Sequence, residues 1–431
     1  MARFFLCVLC FFASPTVWAA SLEPPRVGSY AGYTRLVFDL PSNSDYRLEP
    51  LGAALRLTIF GNSVVAKSVR LGKPEVSGYT LENGSGNVVV SIATPQGVSS
   101  RRGVRVGRLA AMPGKSGFRL VLDFSGAFAD ISPLPNVAAP KTKVPQASIV
   151  LDPGHGGDDL GALGNGLREA ELNLQVSFRI KKWLEQAGVS VELTRTSSST
   201  FSSNKRSDLE ARVERTKGKT AFISVHANAI ERRSWNSTYG MEVFYFDWVK
   251  RSPWMVAASP EPKAAASEPI DILETPAPEE PPIPITNYAL APSTTETPIT
   301  PEQNGFGTWQ PISEETQNPS QTLTAASALA SLLSTPDRQS ASKDLAARVL
   351  ANMLGATGAS SRGVQVADFY VIKNAQCPAI LLEMGFVTHP VEAEQLKNSN
   401  YLERIAYGVA VGILEYLDGL AASLELGTEP K

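Results

Sequence analysis

Between residues 26 and 128, apolar and polar positions alternate with a period of two. TRLVFDL (34–40), ALRLTIF (54–60), NVVVSIA (87–93) and FRLVLDF (118–124) are each bounded by Gly, Pro, Ser or Asn. Successive side chains of a strand point to opposite faces, so this pattern predicts half-buried strands and a small all-β domain. TRLVFDLPS and FRLVLDFSG nearly repeat each other, as related strands of a β-sandwich would.

After residue 147 the period changes. Strand-like runs SIVLD, VSVELTR, TAFISVH, GMEVFYF, FYVIK and AILLE alternate with amphipathic stretches such as ELNLQVSFRIKKWLEQAG and NYLERIAYGVAVGILEYL. Alternation of this kind predicts an α/β domain over 147–419, a mostly parallel twisted sheet flanked by helices. In the first of those helices Leu172, Val176, Ile180 and Trp183 share a core-facing stripe, and Gly188 supplies the stop. The Pro- and Ala-spaced segment 129–146 predicts a semi-extended linker between the two domains.

One stretch interrupts the second domain. Across 248–340 the periodicity disappears and acids outnumber bases. Because 14 of the chain's 31 prolines fall between 253 and 319, this insert is expected to be largely disordered. Within it LTAASALASLLS (323–334) has helical spacing, with Leu329, Leu332 and Leu333 on one side. It reads as a nascent helix in a solvated loop, or as a segment that folds over a neighbouring site and gates it.

Composition narrows the function. A formal net charge of -2 gives no support to nucleic-acid binding, and 43% hydrophobic content suits a globular protein with sizeable cores. The first 19 residues, with Arg3 ahead of an apolar run and small residues near Ala19, read as a secretory signal peptide. No other stretch reads as a membrane span, so a soluble, exported monomer is expected. Cys7 and Cys10 would leave with the leader. Cys377 then stands alone, with no intramolecular disulfide possible and no neighbouring base to activate it.

Of three histidines, His155 follows the strand SIVLD within DPGHGG, and His226 ends TAFISVH. Both therefore stand at carboxyl ends of strands, where open α/β sheets place their sites. Two imidazoles and a carboxylate with a vacant fourth position form a ligand set for catalytic zinc. Glu169 is the candidate carboxylate, and by spacing Asp152, Asp158, Asp159 and Glu171 remain equal rivals. Glu383 sits inside the apolar run AILLEMGF, where an unpaired carboxylate costs several kcal/mol. It either pairs with a cation such as Arg195 or Arg362, or serves as a general base beside the metal. His389, ahead of Pro390, is expected in an exposed loop or capping role, a spare ligand at most.

DPGHGGDDLGALGNGLREAELNL, LTRT, FISVHANA, GMEVFYF, SRGVQVADFYVIKN and PAILLEMGFVTHP, in this order, closely resemble the zinc-dependent N-acetylmuramoyl-L-alanine amidases of bacterial cell-wall turnover and daughter-cell separation. The resemblance covers 147–419 apart from the insert. It implies that His155, Glu169 and His226 hold zinc and that Glu383 is the catalytic base. Asn228 and Arg362 fall in matching motifs and are candidates for orienting substrate or strands. The implied reaction is hydrolysis of the amide between N-acetylmuramic acid and the L-alanine of the peptidoglycan stem peptide. A zinc peptidase cutting within the stem would use the same four residues, whereas a non-catalytic wall-binding protein would normally have lost one of them. Residues 26–128 resemble, more weakly, envelope-targeting modules that bind peptidoglycan or other envelope material. Some periplasmic relatives carry an inserted helix that blocks the zinc until an activator protein displaces it, which implies a periplasmic setting and a role for 323–334.

Overall fold

The computed structural model describes residues 20–144, 146–248 and 335–427. The expected leader 1–19 and the helix expected at 323–334 lie outside them.

Strands β1 (Ala20–Leu22), β2 (Arg26–Tyr30), β3 (Tyr33–Leu40), β4 (Tyr46–Pro50), β5 (Gly52–Phe60), β6 (Asn62–Val64), β7 (Lys67–Arg70), β8 (Gly78–Asn83), β9 (Asn87–Val98), β10 (Val104–Ala110) and β11 (Phe118–Phe124) build the first domain. Two antiparallel sheets, ordered β10-β11-β3-β2 and β4-β5-β9-β8-β7, face each other. Leu36, Phe38, Leu120 and Leu122 from one sheet meet Leu55, Leu57, Val90 and Ile92 from the other in a single core. The two near-repeats are neighbouring strands, β3 and β11, with Leu36 opposite Leu122 and Leu40 opposite Phe118. Each fully buried side chain of this size contributes about 1.5–3 kcal/mol of transfer energy.

The second domain holds β12 (Ser148–Pro153), a short hairpin β13 (Leu163–Gly164) and β14 (Leu167–Arg168), β15 (Ser190–Leu193), β16 (Ala221–Asn228), β17 (Met241–Tyr245), β18 (Ser361–Val366) and β19 (Ala379–Phe386). Its six-stranded sheet runs β15-β12-β16-β19-β17-β18 and is parallel except where β17 meets β19. Around it lie α1 (Glu169–Gln186), α2 (Lys205–Glu214), α3 (Thr335–Thr357), α4 (Tyr370–Asn374), α5 (Pro390–Leu396) and α6 (Ser399–Gly427). Alternate strand residues serve the two faces. Ile149, Leu151, Ile223, Val225, Ile380 and Leu382 pack with α1, α3 and α6. Val150, Phe222 and Leu381 pack with Val371 and Ile372 of α4. His226 and Glu383 follow Phe222 and Leu381 by even spacings and so belong to that second face.

Helix α6 contains 24 residues, Ser399–Ala422, long and apolar enough to cross a membrane by composition, contrary to the expectation that no such stretch follows the leader; 56% of its most apolar window is buried within the fold. Gly408 and Gly412 let it lie directly on α3, since a Cβ at either would come within 2.7 Å of the Met353 or Val349 backbone.

Four further expectations change. FYVIK is helix α4, preceded by strand SRGVQV, because Val371 and Ile372 bury against the sheet from a helix rather than within it. The segment expected as insert up to 340 already enters α3 at Thr335. On α1 the buried stripe is Leu172, Val176, Ile180 and Leu184, while Trp183 is only partly covered and bonds Glu403 Oε1 at 2.9 Å.

The fourth change concerns the linker, which is a strap. Ala129, Ile131 and Val144 bury in the core of the second domain. Asp130 pairs with Arg101 at 2.8 Å and with Arg404 at 3.2 Å. Gln395 of α5 accepts from Arg105 and from the Ala129 amide and donates to the Ala127 carbonyl. Ala127, Phe128 and Val391 close the joint with Tyr33 and Tyr239. The two domains are thereby packed together.

Candidate active site

Parallel neighbours β12 and β16 end side by side, which brings His155 and His226 to one corner. The loop after β12 turns through left-handed backbone at His155 (φ 61) and Gly157 (φ 61), with Gly156 at φ 124 between them. For histidine this conformation costs roughly 1–2 kcal/mol. Two buried arginines hold it. Arg212 donates to Asp152 Oδ1 at 2.7 Å, to the Pro153 carbonyl at 3.0 Å and to the His155 carbonyl at 2.9 Å. Arg195 donates to the carbonyls of Pro153, Gly154 and Ala170 at 2.7–2.9 Å. Burial raises the Asp152 carboxyl, but the Arg212 charge and bonds from Thr194 and Ser224 outweigh it and hold the group below the usual carboxylate range.

Glu169 opens α1 and bridges the two imidazoles. Its Oε2 lies 3.2 Å from His155 Nε2, and its Oε1 lies 2.8 Å from His226 Nδ1. The same carboxylate accepts from the amides of Ala162 (2.7 Å) and Ala227 (3.2 Å), with Asn173 Nδ2 at 3.3 Å. Glycine is required beside it. A Cβ on Gly161 would stand 2.6 Å from Glu169 Oε2, and one on Gly154 would stand 2.1 Å from His226 Cε1.

His155, Glu169 and His226 offer one ligand atom each within 4.8 Å of one another. His155 Nδ1 is anchored by Asp159 Oδ2 at 3.0 Å, the kind of outer carboxylate that orients ligating histidines. Burial alone would lower the His155 pKa, yet bonds to Asp159 and Glu169 raise it to about 9. Asp159 falls to about 2, chiefly through its bond to His155. Burial raises Glu169, but the two histidines outweigh it and leave the carboxyl well below the usual range. The corner is thus arranged for positive charge. Of the other acids that spacing left open, Asp152 is bound to Arg212, Glu171 pairs with Arg168 on the surface, and Asp158 is exposed.

Glu383 faces these groups from β19, lining with His155, Glu169, His226 and Asn228 a cleft of about 1060 Å³. Its Oε2 is buried without a hydrogen-bond partner, and Glu383 forms no ion pair among the described residues. Arg195 is spent on backbone carbonyls, and Arg362 pairs with Glu242 at 3.3 Å. Burial first, then the charges of Glu169 and Glu242, push the Glu383 carboxyl well above the ordinary value. A carboxyl in such surroundings holds a proton more readily than a free one, which suits a group that must take up a proton and return it.

His389 lies away from this cleft and is fully buried, not exposed. It caps α5, its Nδ1 accepting from the Glu392 amide at 3.3 Å, and packs against Gly32 of the β domain. Cys377 is buried and its thiol is pushed up to about 12 by that burial, so it is inert. Arg212, Asn173 and Glu242 carry site architecture that the sequence did not announce. Arg212 lies in a mainly polar helix with no distinguishing pattern. Glu242, a single acid inside the apolar strand GMEVFYF, carries the same signal that singled out Glu383.

A mostly parallel sheet, a two-histidine and one-carboxylate corner at its strand ends that could hold a metal ion, and an unpartnered carboxylate across the cleft define an α/β domain with one candidate active site. The chain belongs to the N-acetylmuramoyl-L-alanine amidase family, whose sequence profile matches residues 149–415. It is 25% identical over 278 residues to N-acetylmuramoyl-L-alanine amidase LytC of Bacillus subtilis (64% of this chain, 36% of LytC). A germination-specific amidase of the same organism is 38% identical over 108 residues (23% and 44%). AmiA of Escherichia coli is 25% identical over 271 residues (62% and 75%). The matched segment thus spans less than half the length of the first two relatives. Among solved structures, AmiC2 of Nostoc punctiforme is similar at 24% identity, covering 63% of this chain and 97% of that one, with a TM-score of 0.37.

Proposed function

We propose that the protein is a zinc-dependent, exported amidase that hydrolyses the bond between N-acetylmuramic acid and the L-alanine of peptidoglycan stem peptides. The single observation that carries this reading is the convergence of His155, Glu169 and His226 with the unpartnered Glu383 on one cleft. Family membership narrows the scissile bond.

The donor set fits zinc, with two imidazoles, one carboxylate and an outer carboxylate on His155. A zinc ion held by these three residues would supply Lewis acidity toward water and the scissile carbonyl. The chain's own residues do the rest. Asp159 and Glu169 fix the His155 ring, and the Ala162 and Ala227 amides with Asn173 fix Glu169. Glu383, with no internal partner for Oε2, takes the proton of the attacking water and returns it to the departing L-alanine nitrogen. In this reading the β-sandwich domain binds the wall and the leader directs export to the periplasm, so peptidoglycan is both substrate and anchor.

Digestion of purified peptidoglycan with and without a chelator tests this. Intact stem peptides with a free L-alanine amine, lost on chelation and restored by zinc, support the reading. Cuts inside the stem peptide would make the protein a peptidase, and no release by the zinc-loaded protein would remove the enzymatic reading altogether.

A further inference from the structure

Three strands carry a row of functional groups across the sheet. In register, His226 of β16 is opposite Glu383 of β19, and Glu383 is opposite Glu242 of β17. Side chains directly opposite each other share a face, so Glu242 extends the row by one strand beyond the base. It is only 5% exposed, and a buried carboxylate at that position needs partners. It has two, Asn228 Nδ2 at 2.8 Å and Arg362 Nε at 3.3 Å, both on Oε1.

Asn228 is the informative one. It lies two residues past His226, beyond a register shift in the β16–β19 pairing, and it lines the cleft with Glu383. Its Oδ1 accepts from the Ala229 amide at 2.9 Å, and one Nδ2 hydrogen goes to Glu242. A primary amide has two such hydrogens. The second has no protein acceptor among the described residues. An amide pinned at both its oxygen and one of its hydrogens presents the remaining N–H in a fixed direction, which is how donors are preorganised for substrate oxygens.

We infer that Asn228 is a catalytic residue whose free amide hydrogen binds a carbonyl oxygen of the muramoyl-peptide backbone next to the scissile amide, and that Glu242, braced by Arg362, is the positioning residue that aims it. This rests on the amidase reading given above and deepens it.

The test uses the full-length zinc-loaded protein and a soluble N-acetylmuramoyl-peptide, so that kcat and KM separate. Asn228→Ala is expected to lower kcat about tenfold to a hundredfold with zinc content and melting temperature unchanged. Glu242→Leu is expected to lower kcat by a similar factor, and Glu242→Gln, which can still accept from Asn228, to recover most of that loss. In the double variant Asn228→Ala/Glu242→Leu the losses should not multiply, because the two residues act as one unit. Should Glu242→Leu fold poorly, Arg362→Met loosens the same carboxylate from a side chain that is 38% exposed; a loss in kcat that vanishes in the Asn228→Ala background supports the inference. Unchanged kcat in Asn228→Ala, or losses that multiply, overturns it. If the wild-type protein releases no peptide with a free L-alanine amine, the amidase reading fails instead, an outcome visible before any variant is made.

Discussion

The two sides of the cleft are built on opposite plans. On the β12 side the buried carboxylates and guanidinium groups have their partners. Glu169 accepts from two backbone amides, contacts both histidines and has Asn173 within reach, while Arg195 and Arg212 tie down the carbonyls beneath. On the β19 side Glu383 is left with a buried oxygen and no partner. Saturation fixes geometry, and an unmet demand at a buried carboxyl leaves a group ready to exchange a proton. One wall is saturated, and the other keeps an unmet demand.

Substitutions that remove this contrast should have graded effects. Glu383→Gln keeps the shape and abolishes proton exchange, so turnover of peptidoglycan should fall about 10²–10⁴-fold while metal content measured by atomic emission stays at the wild-type level. Equal turnover would place the base elsewhere. On the holding side, Arg212→Met strands Asp152 and Asp208 in the interior. Urea denaturation should register a loss of about 3–5 kcal/mol, and zinc affinity should drop with it because the His155 carbonyl is released.

Protons sharpen the comparison further. In the metal-free protein the His155 pKa stands at about 9 against 6.5 for a free imidazole. The folded state binds this proton more tightly than the unfolded chain, so the stabilisation is fully present below pH 6.5 and is lost as pH climbs through 9. Chelated protein should therefore lose on the order of 2 kcal/mol between those limits in denaturation experiments, and His155→Ala should flatten the slope. Zinc affinity should run the other way, rising with pH, because imidazole must shed its proton to ligate. The last test concerns the joint between domains. Gln395→Ala removes three hydrogen bonds there and should cost about 1–3 kcal/mol, with faster amide exchange along 127–132 and little change in zinc content.

Much of this was legible in the chain. Period-two alternation marks the sandwich strands because each has one wet face and one dry face, and the near-repeat of 34–42 and 118–126 is explained by their adjacency. His155 and His226 stand out as histidines at strand ends and Glu383 as an acid in an apolar run, whereas spacing leaves Glu169 among four other acids and only the resemblance selects it; the structure brings all four residues to one cleft. Other features had no local signal. FYVIK carries strand-like residues, and only packing against Phe222 and Leu381 makes it a helix. The roles of Arg195 and Arg212 depend on carbonyls 25 to 59 residues away in sequence. His389 was misjudged as to exposure because a His-Pro step looks like a loop until another domain covers it.

That covering has a practical side. Phe128 and Tyr33 reach the catalytic half at Val391, Gln395 holds the chain at 127–129, and Ile131 and Val144 belong to the catalytic core itself. A shortened protein beginning at residue 147 would therefore bare an apolar seam and empty three core positions, those of Ala129, Ile131 and Val144. Truncation experiments meant to separate the functions of the two domains should keep the strap, because a cut at the apparent boundary would remove part of the second domain's interior, and its poor behaviour would be mistaken for a need for the first domain.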